Sequence, residues 1–304
     1  MNKNFTNLTD LDIQNLINLY QNGTSLTKIK LQFKISDKRV KQILTEHNIH
    51  IRSHRESKLV YQYNEDYFNQ IDTPDKAYWL GFIYADGFIT KKTNGNPVFG
   101  MSLAEIEPLE KLNKYMHSNK PIGKYNKVNS YNENSVEYKL AFCSLKLTSD
   151  LEKWGCTENK TFKLKFPTFL EDSLIRHFIR GYIDGDGSIF YRQNCINNNK
   201  YIGLGITICG IESFLAEMCK HLPINVVNCV YKDYRKTTEC YSLKLNSNIR
   251  CLQLYHYLYN DCGDLYLSRK RKKFEDFIKE KGSTTIISNL PKWQEYLNLC
   301  YLED

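Results

Sequence analysis

Apolar residues recur with two different periods along the chain. From Leu8 to Ile51 they are spaced as on the buried faces of three short helices. Thr9, Ser25 and Ser36 stand where helix N-caps are expected, ahead of DLDIQNLINLY, LTKIKLQF and DKRVKQILTEH. Stretches further on, such as VFGMSLA and VEYKLAFCS, are typical of strands. The pattern therefore predicts a small all-α unit followed by a larger unit that contains β-sheet.

The last two predicted helices are separated by a tight turn, as in a helix-turn-helix, with Val40, Ile43 and Leu44 facing the core. Residues 1–60 hold ten lysines and arginines against five acids, a net charge of +5. We expect a DNA-binding face on the third helix, formed by Lys38, Arg39, Lys41 and Gln42. The alternative is a three-helix packing domain whose basic face is solvated.

The chain repeats itself beyond Asp72, where Asp86 and Asp186 lie 100 residues apart. Three further pairs match at intervals of 98 to 105 residues: Ile106-Glu107 with Ile211-Glu212, Pro121-Ile122 with Pro223-Ile224, and SLKLTSD (144–150) with SLKLNSN (242–248). Each copy follows the order α-β-β-α-β-β-α, and the last hairpin of the second copy is predicted from VVNCVYKDY and CYSLKL. The fold class is therefore α+β, a tandem pseudo-dimer behind a small all-α domain.

Each copy opens on a helix with two small residues four positions apart. Glycine inside a helix costs about 1 kcal/mol relative to alanine, so this pattern needs a reason. Small residues at this spacing let two helix backbones approach closely. We expect the two copies to pack helix against helix through Gly81, Ala85, Gly181 and Gly185.

Asp86 and Asp186 would then emerge side by side at the end of the seam between these helices. Two carboxylates forced together disfavour joint ionisation unless a cation lies between them. Hard oxygen ligands shared with a phosphate are what Mg²⁺ prefers. The alternative for each motif alone is a helix C-cap with an incidental acid before the glycine. Two such motifs in register favour the metal interpretation.

WLGFIYADG (79–87) and IRGYIDGDG (179–187) resemble the signature of the LAGLIDADG homing endonucleases in their single-chain, two-motif form. The likeness covers roughly residues 72–275. It implies that Asp86 and Asp186, at the eighth motif position, bind the metal, and that Gly87 and Gly187 belong to the same metal site. It also implies two or more Mg²⁺ ions shared with DNA phosphates. Tyr84 stands at the sixth position of the first motif, where the second motif has Asp184.

The resemblance further implies a saddle of two sheets over double-stranded DNA, which reads a long, nearly asymmetric site in the major groove. Cleavage across the minor groove would leave short 3′ overhangs. The family places a basic residue near each acid, which here implies Lys160 and Lys270, with Arg269 as a rival. The alternative for both lysines is a solvent-facing side chain. Strand residues expected to meet DNA are Lys91, Lys92, Lys124, Lys127, Arg192, Gln193, Lys232, Arg235 and Lys236.

Composition supports this interpretation without adding to its detail. The chain has 304 residues and a formal net charge of +8, which favours a polyanion as partner. Its ten cysteines include no CxxC pair, and we expect reduced thiols in a protein without signal peptide or membrane span. The expected location is the cytoplasm, with an organellar or phage-encoded protein as the alternative.

The sequence thus predicts a monomeric, Mg²⁺-dependent, site-specific DNA endonuclease. The alternative is a non-cleaving nucleic-acid-binding protein on the same scaffold, an intron RNA maturase or a transcription regulator. The expected segments are a helix-turn-helix domain (1–55), a linker (56–73), the first repeat (74–168), the second repeat (169–282) and a C-terminal tail (283–304).

Overall fold

The computed structural model divides the chain into two compact units, Met1–Gln62 and Tyr63–Asp304. It describes residues 8–21, 24–52, 61–91, 95–129, 132–196, 199–234 and 239–282. The predicted tail and the first residues of the predicted linker therefore lie outside the described residues. The segment boundaries stay predictions.

The first unit contains the three predicted helices, α1 (Asp10–Gln21), α2 (Leu26–Phe33) and α3 (Asp37–Glu46). The predicted N-caps are present, because the hydroxyls of Ser25 and Ser36 accept hydrogen bonds from backbone amides in the first turns of α2 and α3. Six side chains form the core of this unit: Leu16, Tyr20, Ile29, Val40, Ile43 and Leu44.

The second unit alternates helices and hairpins, as predicted. Its helices are α4 (Pro74–Asp86), α5 (Glu107–Tyr115), α6 (Leu145–Lys153), α7 (Asp172–Asp186), α8 (Glu212–Lys220), α9 (Asn248–Tyr259) and α10 (Ser268–Gly282). Its strands are β1 (Gly87–Thr90), β2 (Val98–Leu103), β3 (Gly123–Asn129), β4 (Asn132–Cys143), β5 (Gly187–Ile196), β6 (Asn199–Gly210), β7 (Val230–Lys232) and β8 (Tyr241–Leu245). A 3₁₀ turn, Lys160–Phe162, precedes α7.

The strands form two antiparallel sheets with the same order, β1-β2-β4-β3 and β5-β6-β8-β7. Each sheet follows directly from a motif helix, since β1 continues α4 and β5 continues α7. The predicted α+β pseudo-dimer is therefore confirmed. The matched landmarks at Ile106-Glu107 and Ile211-Glu212 also agree, because each pair begins the helix between the two hairpins.

Two sequence predictions for the repeat were wrong. SLKLTSD (144–150) begins helix α6, whereas SLKL at 242–245 lies in strand β8. The same four residues adopt different structures in the two copies. At 242–245 they pair with β6, whereas at 144 the serine caps the helix that follows it. The strand predicted from VVNCVYKDY is limited to β7, since the chain makes a turn at Asn228, whose φ is +56°.

Helix α4 is buried on almost every side, from Ala77 to Tyr84. A helix that is apolar around its whole circumference belongs inside a protein, which explains the continuous run AYWLGFIY. Pro74 occupies the first helical turn, where its missing amide proton costs nothing. The ring of Tyr84 packs edge-on against Phe178 of α7, with ring centroids 5.0 Å apart. The two motif helices thus share one core.

The eight cysteines whose side chains the structure describes are all free. Among the described helices, none combines the length and the apolar character needed to cross a membrane.

Candidate active site

The two motif helices end at equivalent residues. Asp86 is the last residue of α4 and Asp186 the last residue of α7. Gly87 and Gly187 follow with extended backbone angles, so each chain leaves its helix directly into a strand. A Cβ on Gly87 would lie 2.8 Å from the carbonyl oxygen of Ile83, which explains the glycine by close packing.

The predicted small residues lie where the two motif helices touch. A Cβ on Gly181 would overlap the carbonyl oxygen of Tyr78, and one on Gly81 would overlap that of Phe178. Each glycine thus faces the backbone of the other helix. Further along the seam, a Cβ on Gly185 would overlap that of Ala85. The two backbones are in direct contact over this stretch.

The close approach predicts a large cost for the smallest possible side chain. Gly181→Ala should lower the free energy of unfolding by about 3 kcal/mol or more, because backbone atoms of α4 would have to move away. Helix propensity alone would stabilise the same variant by about 1 kcal/mol, so the sign of the change separates the two effects. Urea unfolding measures it.

Gly263→Ala is the control for this prediction. Gly263 has a φ of +55° and nothing within 4 Å of an added Cβ, so only backbone strain is introduced. A Gly181→Ala protein as stable as wild type would contradict the packing of the two helices.

The contact of the helices brings the two acids together. A Cβ on Gly185 would lie 3.1 Å from Oδ2 of Asp86, so the first carboxylate sits beside the residue that precedes Asp186. Asp86 is half-buried and Asp186 keeps an exposed surface, which leaves both accessible to a ligand.

The electrostatics of the pair follow from this proximity. Desolvation raises the pKa of Asp86, whereas the positive charges of Lys270, Lys160 and Arg269 oppose the shift. Desolvation, reinforced by the charge of Asp86, raises the pKa of Asp186 to about 6. A cation between the two carboxylates would relieve both effects.

The structure places both predicted lysines at the motif helix ends. Lys160, in the 3₁₀ turn, donates from Nζ to the carbonyl oxygens of Gly87 and Ala85. Lys270, in the first turn of α10, is 2% exposed and donates to the carbonyl oxygens of Ile183, Asp184 and Gly185. The solvent-facing alternative is therefore wrong for Lys270.

Burial changes the acidity of both ammonium groups. Desolvation lowers the pKa of Lys160, and it lowers the pKa of Lys270 to about 8, against the charges of the nearby aspartates. The rival Arg269 is ion-paired with Glu105 instead. Each motif helix end thus holds one lysine of its own copy, and the charge of each lysine acts on both acids.

Sequence reasoning missed a buried polar network around the second motif. Asp184 is 1% exposed and accepts hydrogen bonds from the hydroxyls of Tyr78 (2.9 Å) and Tyr259 (3.0 Å) and from the amide of Leu267 (2.9 Å). Arg180 is fully buried, and its guanidinium donates to the carbonyl oxygens of Leu258, near the end of α9, and Leu265, after α9. The sequence signal for this network is the pair of charged residues at the second and sixth motif positions, Arg180 and Asp184. A purely apolar helix seam would not contain them.

The predicted DNA-contacting residues differ in their surroundings. On the sheets, Lys124 and Gln193 are exposed, whereas Lys91 and Lys232 are ion-paired with Glu152 and Glu239. The guanidinium of Arg192 donates to the carbonyl oxygens of Leu204 and Asn246. Outside the described residues lie Lys92, Arg235, Lys236 and the side chain of Lys127.

On α3 of the first unit, Lys38, Lys41 and Gln42 are exposed and Arg39 is half-buried. Gln42 donates to Glu46 on the same helix, at 2.8 Å. The predicted basic face is therefore accessible in this unit.

Neither the comparison with protein-family models nor that with curated proteins produced a match. Among solved structures, the chain is similar to the I-LtrWI LAGLIDADG homing endonuclease bound to target DNA, with 16% identity over 77% of this chain and 98% of that chain and a TM-score of 0.45. I-SmaMI bound to uncleaved DNA target in the presence of calcium ions shares 12% identity over 74% of this chain and 96% of that chain, with a TM-score of 0.44. The I-SmaMI LAGLIDADG homing endonuclease bound to cleaved DNA shares 13% identity over 74% and 96%, with a TM-score of 0.43. The chemistry of the site rests on its own residues.

Proposed function

We propose that the chain is a site-specific DNA endonuclease of the LAGLIDADG homing type, which hydrolyses one phosphodiester in each strand. The observation that carries the proposal is the convergence of two helix-end carboxylates, Asp86 and Asp186, each with a lysine of its own copy at the same helix end. Both copies belong to one chain, so the proposed active form is a monomer.

The residues at the helix ends fit Mg²⁺. Two accessible carboxylates with raised pKa values, one of them raised by its neighbour's charge, are a hard-oxygen site for a divalent cation. Among the described residues, no cluster of three or more His, Cys, Asp or Glu could complete a protein-only site. Mg²⁺ commonly takes one or two carboxylates and fills its other positions with water and substrate phosphate. The proposed ions would therefore be shared with DNA.

Asp86 and Asp186 would hold the ions, which when bound supply Lewis-acid chemistry at the phosphates. The carbonyl oxygen of Gly87 accepts from Lys160, which makes this glycine a ligand candidate only if the lysine moves. The equivalent residue of the second copy, Gly187, begins β5, where it pairs with Ile208 of β6. The ammonium groups of Lys160 and Lys270 would stabilise, through their charge, the negative charge that develops on the phosphates. Lys160 would also orient the attacking water.

The first experiment is incubation of the full chain and Mg²⁺ with DNA from the flanks of its own gene, followed by gel analysis. We expect double-strand cleavage at one position, with staggered ends. A sequence-specific complex that never cleaves would favour the alternative, a binding protein on the same scaffold.

We also propose that the first unit is a helix-turn-helix that extends the recognised DNA without taking part in the chemistry. The proposal is supported by the exposed Lys38 and Lys41 on α3 and by the three-residue turn between α2 and α3. The residues of the two sheets that are expected to meet DNA would supply the rest of a long site.

Deletion of residues 1–60 should weaken DNA binding and shorten the footprint at one end only. Each lost phosphate contact also reduces the salt dependence of binding, so the slope of log K against log salt should become shallower. Cleavage at saturating protein should persist, because the deletion removes none of the second unit. Nuclease protection across a salt series measures both quantities. An unchanged footprint and an unchanged salt slope would favour the alternative, in which the unit is a three-helix packing domain with a solvated basic face.

A further inference from the structure

The sixth position of the second motif connects α7 to the helix that carries Lys270. The carboxylate of Asp184 accepts from the amide of Leu267, the residue that precedes α10. A carboxylate at a helix N-terminus pairs with an amide that has no helical partner and interacts favourably with the helix dipole. Tyr78 and Tyr259 donate to the same carboxylate, so its burial is compensated by three hydrogen bonds.

Lys270 makes the reciprocal connection. Its Nζ donates to the carbonyl oxygens of Ile183 (2.8 Å), Asp184 (2.6 Å) and Gly185 (3.0 Å), in the last turn of α7. The last carbonyls of a helix generally lack helical partners, and the dipole there favours a cation. Of the three acceptors, the carbonyl of Ile183 also accepts from the amide of Gly187. The three protons of the ammonium match the three acceptors. Helix α7 thus caps α10, and α10 caps α7.

The first copy achieves the same connection with a different residue. Tyr84, which is 2% exposed, donates from its hydroxyl to the carbonyl oxygen of Trp154, just after α6. Lys160 lies further along the same segment, after Trp154. It donates to the carbonyl oxygens of Ala85 and Gly87, at the end of the helix that carries Tyr84. Gly155 has a φ of +95° and lies against the Tyr84 hydroxyl, where a side chain would not fit.

We propose that the sixth motif position is a positioning site in each copy: Asp184 holds Lys270, and Tyr84 holds Lys160, at the end of that copy's own motif helix. The inference rests on the proposed nuclease function for its catalytic consequence. Its structural content, the anchoring of each lysine segment, does not depend on that function. Tyr84 in the first copy and Asp184 in the second therefore have equivalent positioning roles.

The pseudo-symmetry of the copies gives the proposal a distinctive consequence. The two copies repeat the same sheet order, so each lysine would act more on the scissile phosphate of one strand than on that of the other. Loosening one anchor should slow hydrolysis of one strand more than that of the other. Misplacement of a catalytic group by about 1 Å can cost on the order of 100-fold in rate.

The test compares Asp184→Asn with Tyr84→Phe on supercoiled plasmid, with the two strands labelled separately. Each variant should slow one strand on the order of 10- to 100-fold and accumulate nicked circles, with unchanged affinity for DNA. The strand that Asp184→Asn cleaves slowly should be the strand that Tyr84→Phe cleaves at the wild-type rate, and the reverse. A merely structural defect would slow both strands equally and would overturn the proposal.

Double variants separate positioning from general damage. Asp184→Asn should add no further slowing to Lys270→Met, because it acts through Lys270, but should add its full effect to Lys160→Met. Tyr84→Phe should show the opposite pattern. Full additivity of Asp184→Asn with both lysine variants would contradict the proposed coupling.

Hydrogen exchange measured by mass spectrometry tests the anchoring without any cleavage. Asp184→Asn should speed amide exchange in residues 265–271 and not in 154–162, and Tyr84→Phe should do the reverse. Uniform or absent changes would overturn the proposal. If Asp184→Asn fails to fold, Tyr259→Phe removes one hydrogen bond to the same carboxylate and should give a smaller change in the same segment. A wild-type chain that never cleaves DNA would instead refute the proposed function, and exchange would still decide the anchoring.

Discussion

Asp186→Asn should slow double-strand cleavage by on the order of 10³-fold or more while DNA binding stays near wild type. Asparagine keeps the shape of the side chain and removes the charge that would hold a divalent cation. Asp186 ends α7 and keeps an exposed surface, so the substitution leaves the packing of the helix in place. Single-turnover cleavage and equilibrium binding, measured on the same duplex, check the two halves of the prediction.

Asp172→Asn is the matched control, since Asp172 is an exposed aspartate at the opposite end of the same helix. It should cleave at the wild-type rate. Asp86→Asn should behave like Asp186→Asn, because the two acids share the site. Wild-type double-strand breaks from Asp186→Asn in Mg²⁺ would contradict the assignment of the pair.

Lys160→Met and Lys270→Met should each slow cleavage by about 100-fold or more with little change in the dissociation constant. Both ammonium groups lie at the helix ends that carry the acids, and their charges act on both Asp86 and Asp186. The affinity should be nearly unchanged, because Lys270 is buried and Lys160 is committed to backbone carbonyls, so neither lysine is an open phosphate contact. Cleavage rates and dissociation constants measured on the same duplex distinguish a catalytic lysine from a phosphate contact.

The controls are exposed lysines on the same segments, Lys163→Met beside Lys160 and Lys272→Met beside Lys270. They should leave the rate unchanged. Because Lys270→Met leaves backbone carbonyls of α7 without a partner, its unfolding midpoint must be measured alongside. Equal losses of rate and affinity in Lys160→Met would show a phosphate contact instead of a catalytic group.

The sequence predicted the parts of the site that depend on local pattern. Small residues four apart predicted the close helix seam, and the acid at each motif end predicted the paired carboxylates. Each of these signals lies within a single copy, although the contact that it predicts joins one copy to the other. The repeat of α and β elements was predicted for the same reason, because each copy carries its own periodicity and caps.

The rest depended on partners far away in sequence. Asp184 and Lys270 are connected across 86 residues, and no local signal shows that a lysine in SRKRKK turns inward. The repeated SLKL misled because pairing with β6 holds residues 242–245 in a strand, whereas the same letters at 144–147 begin a helix. Burial of a charged residue is a property of tertiary packing, which periodicity does not report.

The most direct test of the central claim is to map the ends produced by the full chain on its target under single-turnover conditions, with Mg²⁺ and with a chelator. We expect one hydrolysed phosphodiester per strand, offset across the minor groove to leave short 3′ overhangs, and no product with the chelator. Cleavage that persists in the chelator, or ends scattered along the duplex, would contradict a paired-aspartate, metal-dependent, site-specific nuclease.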